Sequence, residues 1–288
     1  MLQGASEDSE LTIHVANDPG DDVGLPHEAG DWWTIHTGEA PVIATAIHNG
    51  HAVRPEVADD LALGEQDRLR EEDPFTEYTT RDVPNRIICH HSRFEFDLNR
   101  ARDEAIYVRP EQSWGLKVWK EQPSASEVEA SLSSYDEYYA MLRFTLERMQ
   151  RRHGHFVLLD IHSYNHRRDG PDAPPRDEVE APEINIGTFS MDRARWAGVV
   201  DPFIEHLRSS RLAGRAPDVR ENVAFQGKGE QTRFVHTNFP TTGCAIAIEF
   251  KKMFMDEWTG QPDRVVLDDL RQMIRTSLPV LEQALGSQ

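Results

Sequence analysis

The chain has 288 residues, and its 31 Lys and Arg against 50 Asp and Glu give a formal charge of −19. That acidity speaks against a polyanionic partner such as nucleic acid, and the length suits one large core without demanding two. No apolar run approaches the roughly 20 residues that span a bilayer. The segment Met1–Asp8 has neither the basic region nor the apolar core of a secretion signal, so a cytoplasmic protein is expected. Cys89 and Cys244 each sit in an apolar run and are expected as reduced core residues rather than a disulfide.

Residues 1–31 are acidic and rich in Gly and Pro, and read as a peripheral arm in which only Leu11–Val15 suits a strand. Residues 32–288 read as a single domain. Val42–Ile47 is an unbroken apolar run, the mark of a parallel strand covered on both faces, and it ends in His48. After Asn49-Gly50-His51, Pro55-Glu56 opens an amphipathic stretch with Val57, Leu61 and Leu63 on its apolar side. Arg86–Cys89 predicts another strand, and Arg93–Leu98 alternates as a strand or sheet edge does. Ser134–Arg151 carries Tyr135, Tyr138, Tyr139, Leu142, Leu146 and Met149 at near-helical spacing.

The next strand, His155–Tyr164, ends in His162, Ser163 and Tyr164. The turn-rich stretch between Arg167 and Pro182 predicts a loop at the rim of the site, suited to act as a lid. Glu183–Thr188 (strand), Arg193–Arg208 (helix), Asn222–Phe225 (short strand), Cys244–Phe250 (strand) and a helix over about Asp263–Leu285 complete the pattern. The alternation predicts a three-layer α/β/α sandwich around a mixed, mostly parallel sheet.

Three constellations carry chemistry. His48 and His162 both stand at strand ends, where ligands bind in open α/β sheets, and a catalytic zinc takes three protein ligands from His, Glu or Asp. The third ligand is open among His51, Glu56 and Asp73. Asp97-Leu98-Asn99-Arg100, preceded by Arg93, has the makings of a carboxylate clamp, with a surface ion pair to Glu95 or Asp103 as the plainer alternative. Glu249 interrupts an apolar strand, and a carboxylate there needs a partner, a shifted pKa or a function. Ion pairing with Lys251, on the same strand face, or with Arg233 is one outcome. Service as general base beside a metal is the other.

From about His48 to Trp258 the chain resembles the N-formylglutamate amidohydrolases, within the wider group of zinc carboxypeptidase-like hydrolases. His48-Asn49-Gly50 with Pro55-Glu56, Ser92–Arg100, Asp160-Ile161-His162-Ser163 and Ala247–Met255 are similar to four ordered elements of that family. The resemblance implies a phosphorylase/hydrolase-like fold and one zinc ion on His48, His162 and either His51, which stands where carboxypeptidases place Glu, or Asp73. It implies that Asn99 and Arg100 hold the substrate carboxylate and that Glu249 handles the proton. Arg93 or Arg233 would face the oxyanion, with Tyr164 and Arg233 as further substrate contacts. The implied reaction is hydrolysis of the N-formyl or another N-acyl amide of an acidic amino acid, such as N-formyl-L-glutamate. A zinc carboxypeptidase acting on peptides and a metal-free binding protein on the same fold are the alternatives.

Overall fold

Long apolar runs build the centre of the molecule, described over residues 32–287 in a computed structural model. The arm, with its expected strand Leu11–Val15, lies outside the described residues. The strands are β1 (Trp33–His36), β2 (Val42–Ala46), β3 (Asn85–Cys89), β4 (Phe156–Tyr164), β5 (Ile184–Gly187), β6 (Val219–Glu221) and β7 (Gly243–Lys251). They form one sheet in the order β1-β3-β2-β4-β7-β5-β6. β2, β3, β4 and β7 run parallel, β1 and β5 pair antiparallel to β3 and β7, and β6 runs parallel to β5. The helices are α1 (Pro55–Ala58), α2 (Glu65–Glu71), α3 (Thr76–Thr80), α4 (Ala125–His153), α5 (Ala197–Ser209), α6 (Glu230–Asn238) and α7 (Arg264–Leu285). The expected α/β sandwich with a mixed, mostly parallel sheet is what forms.

Side chains alternate between the two faces of a strand. On β4, Val157, Leu159 and Ile161 pack with Phe203 of α5 and Leu270 of α7, while Phe156 and Leu158 pack with Tyr138 and Leu142 of α4. The same period carries Asp160 and His162 to the α4 side. On β7, Ala245 belongs to that layer and Ile246 and Ile248 to the other, so Glu249 falls on the face of His162. The register places His162 directly beside Glu249. β4 continues past Ala46, the last residue of β2, and His48 reaches the same sheet edge from the turn that follows.

Several boundaries move for physical reasons. α4 begins at Ala125, nine residues before the expected Ser134, because Ser124 Oγ accepts the Glu127 N–H while the Glu127 carboxylate accepts the Ser124 N–H. Arg93–Leu98 is not a strand but a series of turns: Phe94, Phe96 and Leu98 are buried, and so are the acids Glu95 and Asp97 between them, which turn inward to bind cations. The short strand ends at Glu221 rather than spanning Asn222–Phe225. Asn222 takes φ 58°, and the N–H groups of Val223 and Ala224 donate to Asn185 Oδ1 instead of a ladder. The helix expected from Arg193 starts at Ala197, since the Asp192 carboxylate and carbonyl accept the Arg195 and Trp196 N–H groups in a preceding turn.

Candidate metal centre and active site

At the carboxyl edge of β2, β4 and β7, His48, Asp73 and His162 turn one ligand atom each toward a common point, all within 4.8 Å of one another and all buried. His162 Nδ1 lies 3.0 Å and His48 Nδ1 3.4 Å from Asp73 Oδ2. Asp73 arrives from the loop after α2, where its N–H donates to the His48 carbonyl at 2.8 Å. Ser163 Oγ donates to its other oxygen at 3.0 Å.

The far nitrogen of each imidazole meets a second carboxylate. His48 Nε2 lies 2.6 Å from Asp97 Oδ1, and His162 Nε2 lies 3.0 Å from Asp160 Oδ1. Such carboxylate–histidine pairs orient imidazole ligands and raise their basicity. Asp97 is fixed in turn by Arg93 Nη2 at 2.8 Å and by the Tyr107 hydroxyl. Asp160 accepts from Gln231 Nε2 of α6 at 2.5 Å.

The residues fit a divalent cation. His48 Nδ1 is sealed from solvent and has no hydrogen-bond partner in the protein, and it faces the Asp73 carboxylate. An N,O,N donor set with both outer nitrogens engaged suits zinc or a similar metal. Burial pushes the Asp73 carboxyl up, but interactions with His162 and His48 hold it far below the usual carboxylate range. Burial pushes His162 down, while Asp160 and Asp73 draw it well above its ordinary value. A cation takes the place of those shared protons when it binds.

Glu249 stands beside this cluster. Burial, reinforced by Asp73 and Asp160 against the opposing pull of His162, pushes its carboxyl up to about 8. Lys251 does not neutralise it, since Lys251 Nζ donates to the Ala181 carbonyl at 2.9 Å. A pocket of about 390 Å³ opens over the cluster, and Arg93, Asn99, Arg100, Tyr164 and Glu249 line it with the metal-site residues. Asn99 Nδ2 lies 3.4 Å from His162 Nε2. The Arg100 side chain is 43% exposed, with Nε 3.9 Å from Asp97. The Tyr164 ring lines the wall, but its hydroxyl donates to the Pro182 carbonyl and so anchors the loop.

Other expected residues stand apart. Gly50 packs so tightly on the backbone of His90 that an added Cβ would lie 2.2 Å from the His90 carbonyl carbon, and the chain there turns His51 away to pair with Glu72 at 2.5 Å. Glu56 is exposed on α1. Arg233, 52% exposed on α6, pairs with Glu230 and does not line the pocket. The stretch Arg167–Pro182 is held at its start, where the His166 and Arg167 N–H groups donate to Glu257, and Arg168 grips Glu71 with both terminal nitrogens. Sequence reasoning missed Asp160 as the partner of His162, although an acid two residues earlier in an apolar strand shares its face.

The fold is similar to that of N-formylglutamate amidohydrolase from Ralstonia eutropha JMP134, with TM-score 0.68 at 18% identity over 88% of this chain and 98% of that one. It is similar also to the gene product Atu2144 from Agrobacterium tumefaciens, with TM-score 0.55 at 14% identity over 90% of this chain and 94% of that one. A metallo-carboxypeptidase from Pseudomonas aeruginosa is a looser match, with TM-score 0.35 at 16% identity over 88% of this chain and 60% of that one. No curated protein matches the sequence. The family model for N-formylglutamate amidohydrolase matches residues 40–255, a span holding His48, Asp73, His162 and Glu249 together with Asn99 and Arg100. By that match this chain belongs to the N-formylglutamate amidohydrolase family.

Proposed function

We propose that the protein is a zinc-dependent amidohydrolase that cleaves the N-formyl, or another small N-acyl, group from an acidic amino acid such as N-formyl-L-glutamate. The observation that supports this reading most is Glu249, a buried carboxylate set beside His162 at the edge of the His48, Asp73 and His162 cluster. Those three residues would hold one zinc ion, which supplies Lewis-acid activation of water and of the scissile carbonyl when bound.

Glu249 then takes the proton from the attacking water as its oxygen bonds to the acyl carbon, and returns it to the nitrogen as the C–N bond breaks. The products are formate and the free amino acid. A carboxyl raised to about 8 is a competent proton carrier near neutral pH, and a nearby cation lowers it further into that range. Arg93 lines the pocket with its charge fixed by Asp97, and it would stabilise negative charge developing on the carbonyl oxygen. Arg100, with Asn99 beside it, offers a guanidinium fork to the substrate's α-carboxylate. We place the reaction in the cytoplasm, where the two buried free thiols, Cys89 and Cys244, persist.

The test is zinc content by elemental analysis, run with hydrolysis of N-formyl-L-glutamate before and after chelation. One zinc per chain, with turnover lost on chelation and restored by added zinc, is expected. Turnover that survives complete removal of metal would overturn the reading.

A further inference from the structure

Trp114 has a backbone that a bulky residue seldom adopts, with φ 54°, and Gly115 follows it at φ 87°. Left-handed backbone of this kind costs free energy and persists where its surroundings over-determine it. Here they do. Gln112 Oε1 accepts the N–H groups of Val108 and Arg109 at 3.0 and 2.9 Å, and the Gly115 N–H donates to the Pro110 carbonyl at 2.8 Å. The fully buried Ser113 donates through Oγ to the Leu116 carbonyl at 3.0 Å. Trp119 Nε1 ties the far end of the segment to the Tyr107 carbonyl at 2.9 Å. The indole that this rigid segment carries stays 43% exposed and belongs to neither apolar layer, so core packing does not account for the strain.

Trp114 lines the pocket over the metal cluster. The guanidinium carbon of Arg93 lies over its ring at 4.9 Å and that of Arg168 at 5.3 Å, and the ring meets Tyr107 edge-on with centroids 6.4 Å apart. Arg168 is neutralised by the Glu71 carboxylate, at 2.9 and 3.2 Å, so its charge does not drive Arg93 off the ring. Arg93 is only 10% exposed. Its Nε and Nη2 donate to the Tyr107 hydroxyl at 3.3 and 3.2 Å, Nη2 donates to Asp97 at 2.8 Å, and Nη1 donates to the Glu71 carbonyl at 3.3 Å. These bonds leave one N–H of Nη1 for a ligand. An aromatic face attracts a cation more strongly as the pair is desolvated, and a donor shielded from water acts more strongly on developing charge than a wet one.

We propose that Trp114 is a positioning residue: its indole face shields Arg93 from water and fixes the guanidinium, so that the remaining Nη1 N–H meets the oxyanion of the reacting carbonyl. This rests on the hydrolase reading above and adds to it a residue that acts through Arg93 without touching the reacting atoms. The left-handed backbone is what sets the ring over the cation, and the hydrogen bonds of the segment keep it there.

The experiment compares Trp114→Asn with Trp114→Phe in the zinc-loaded protein. Asn accepts a left-handed backbone and removes the ring, whereas Phe keeps a ring face with a weaker hold on a cation. Trp114→Gly takes the place of Trp114→Asn if that variant fails to fold, because glycine adopts this backbone without strain. One readout is exchange of the Arg93 Nε–H with water, followed by proton–nitrogen correlation NMR and assigned by the loss of its signal in Arg93→Lys. Exchange should quicken by about tenfold or more in Trp114→Asn and stay near the wild-type rate in Trp114→Phe. The other readout is initial-rate kinetics with N-formyl-L-glutamate. Trp114→Asn should lower kcat by about tenfold or more, part of the roughly 10²- to 10³-fold that a whole oxyanion donor contributes, with KM held and Trp114→Phe recovering most of the loss. Unchanged exchange in Trp114→Asn overturns the proposal. So does a loss that falls on KM with kcat intact, which makes the indole a surface for the substrate itself. Faster exchange in Trp114→Asn, in a protein whose wild type hydrolyses no N-formyl amino acid, supports the hold of Trp114 on Arg93 and refutes the hydrolase reading. Wild-type kcat in Trp114→Asn does the reverse.

Discussion

Replacing Glu249 by Gln removes a charge while keeping the shape of the side chain, and it should move activity and stability in opposite directions. As the proton carrier, Glu249 contributes on the order of 10²- to 10⁴-fold to kcat. Glu249→Gln should lose that factor with zinc content unchanged. The stability effect follows from burial. In the metal-free fold the carboxyl rises from 4.5 to about 8, which at roughly 1.4 kcal/mol per pH unit disfavours its charged form by about 5 kcal/mol. The folded state therefore holds more protons than the unfolded state between those values, so wild-type stability falls as pH rises from about 4.5 to about 8. The Gln variant lacks that slope. Metal-free Glu249→Gln should match the wild type near pH 4.5 and exceed it above pH 8 by up to about 5 kcal/mol. Bound zinc favours the carboxylate and should narrow the gap. Urea denaturation of both proteins across this range, with and without zinc, measures the effect. A constant stability difference would show that the carboxylate is not desolvated, and a kcat that survives the substitution would remove Glu249 from the proton path.

Asp97→Asn and Asp160→Asn each weaken the carboxylate behind one histidine, and each should lower zinc affinity by about 10- to 100-fold, read by competition with a chromogenic chelator. An affinity equal to wild type would detach those acids from the metal site. Arg100→Ala should raise KM for N-formyl-L-glutamate and leave kcat largely intact, as loss of uniform binding does; initial-rate kinetics would refute the clamp if KM stayed put. His51→Ala should retain wild-type zinc stoichiometry, because His51 is engaged with Glu72 away from the cluster. Elemental analysis showing metal loss would restore His51 as a ligand.

The elements legible in the sequence are those whose burial is apolar. β2, β4 and β7 are buried along nearly their whole length, and the stripe of α7, from Val266 to Leu285, faces a single layer. The elements that escaped are buried through polar groups. In α3, Thr76, Thr79 and Thr80 are all buried because their hydroxyls donate to carbonyls three residues earlier. In α6, Gln231 is fully buried, donating to Thr45 and Asp160 and accepting from Tyr138. A periodicity that counts polar residues as outward turns these faces to solvent and loses the helix.

The same division runs through the site. His48, His162 and Glu249 betray themselves because each breaks or ends an apolar run, and the parity of β4 and β7 then forces the last two onto one face. Asp73 has no such marker. Its place depends on a loop pinned by two bonds to backbone carbonyls, its own N–H on that of His48 and the Lys252 ammonium on that of the neighbouring Glu72, neither of which a pattern of residue types encodes. His51 shows the converse error. Its spacing from His48 suits a ligand pair, but spacing fixes direction only when the backbone between is regular, and Gly50 pressed on His90 makes it otherwise.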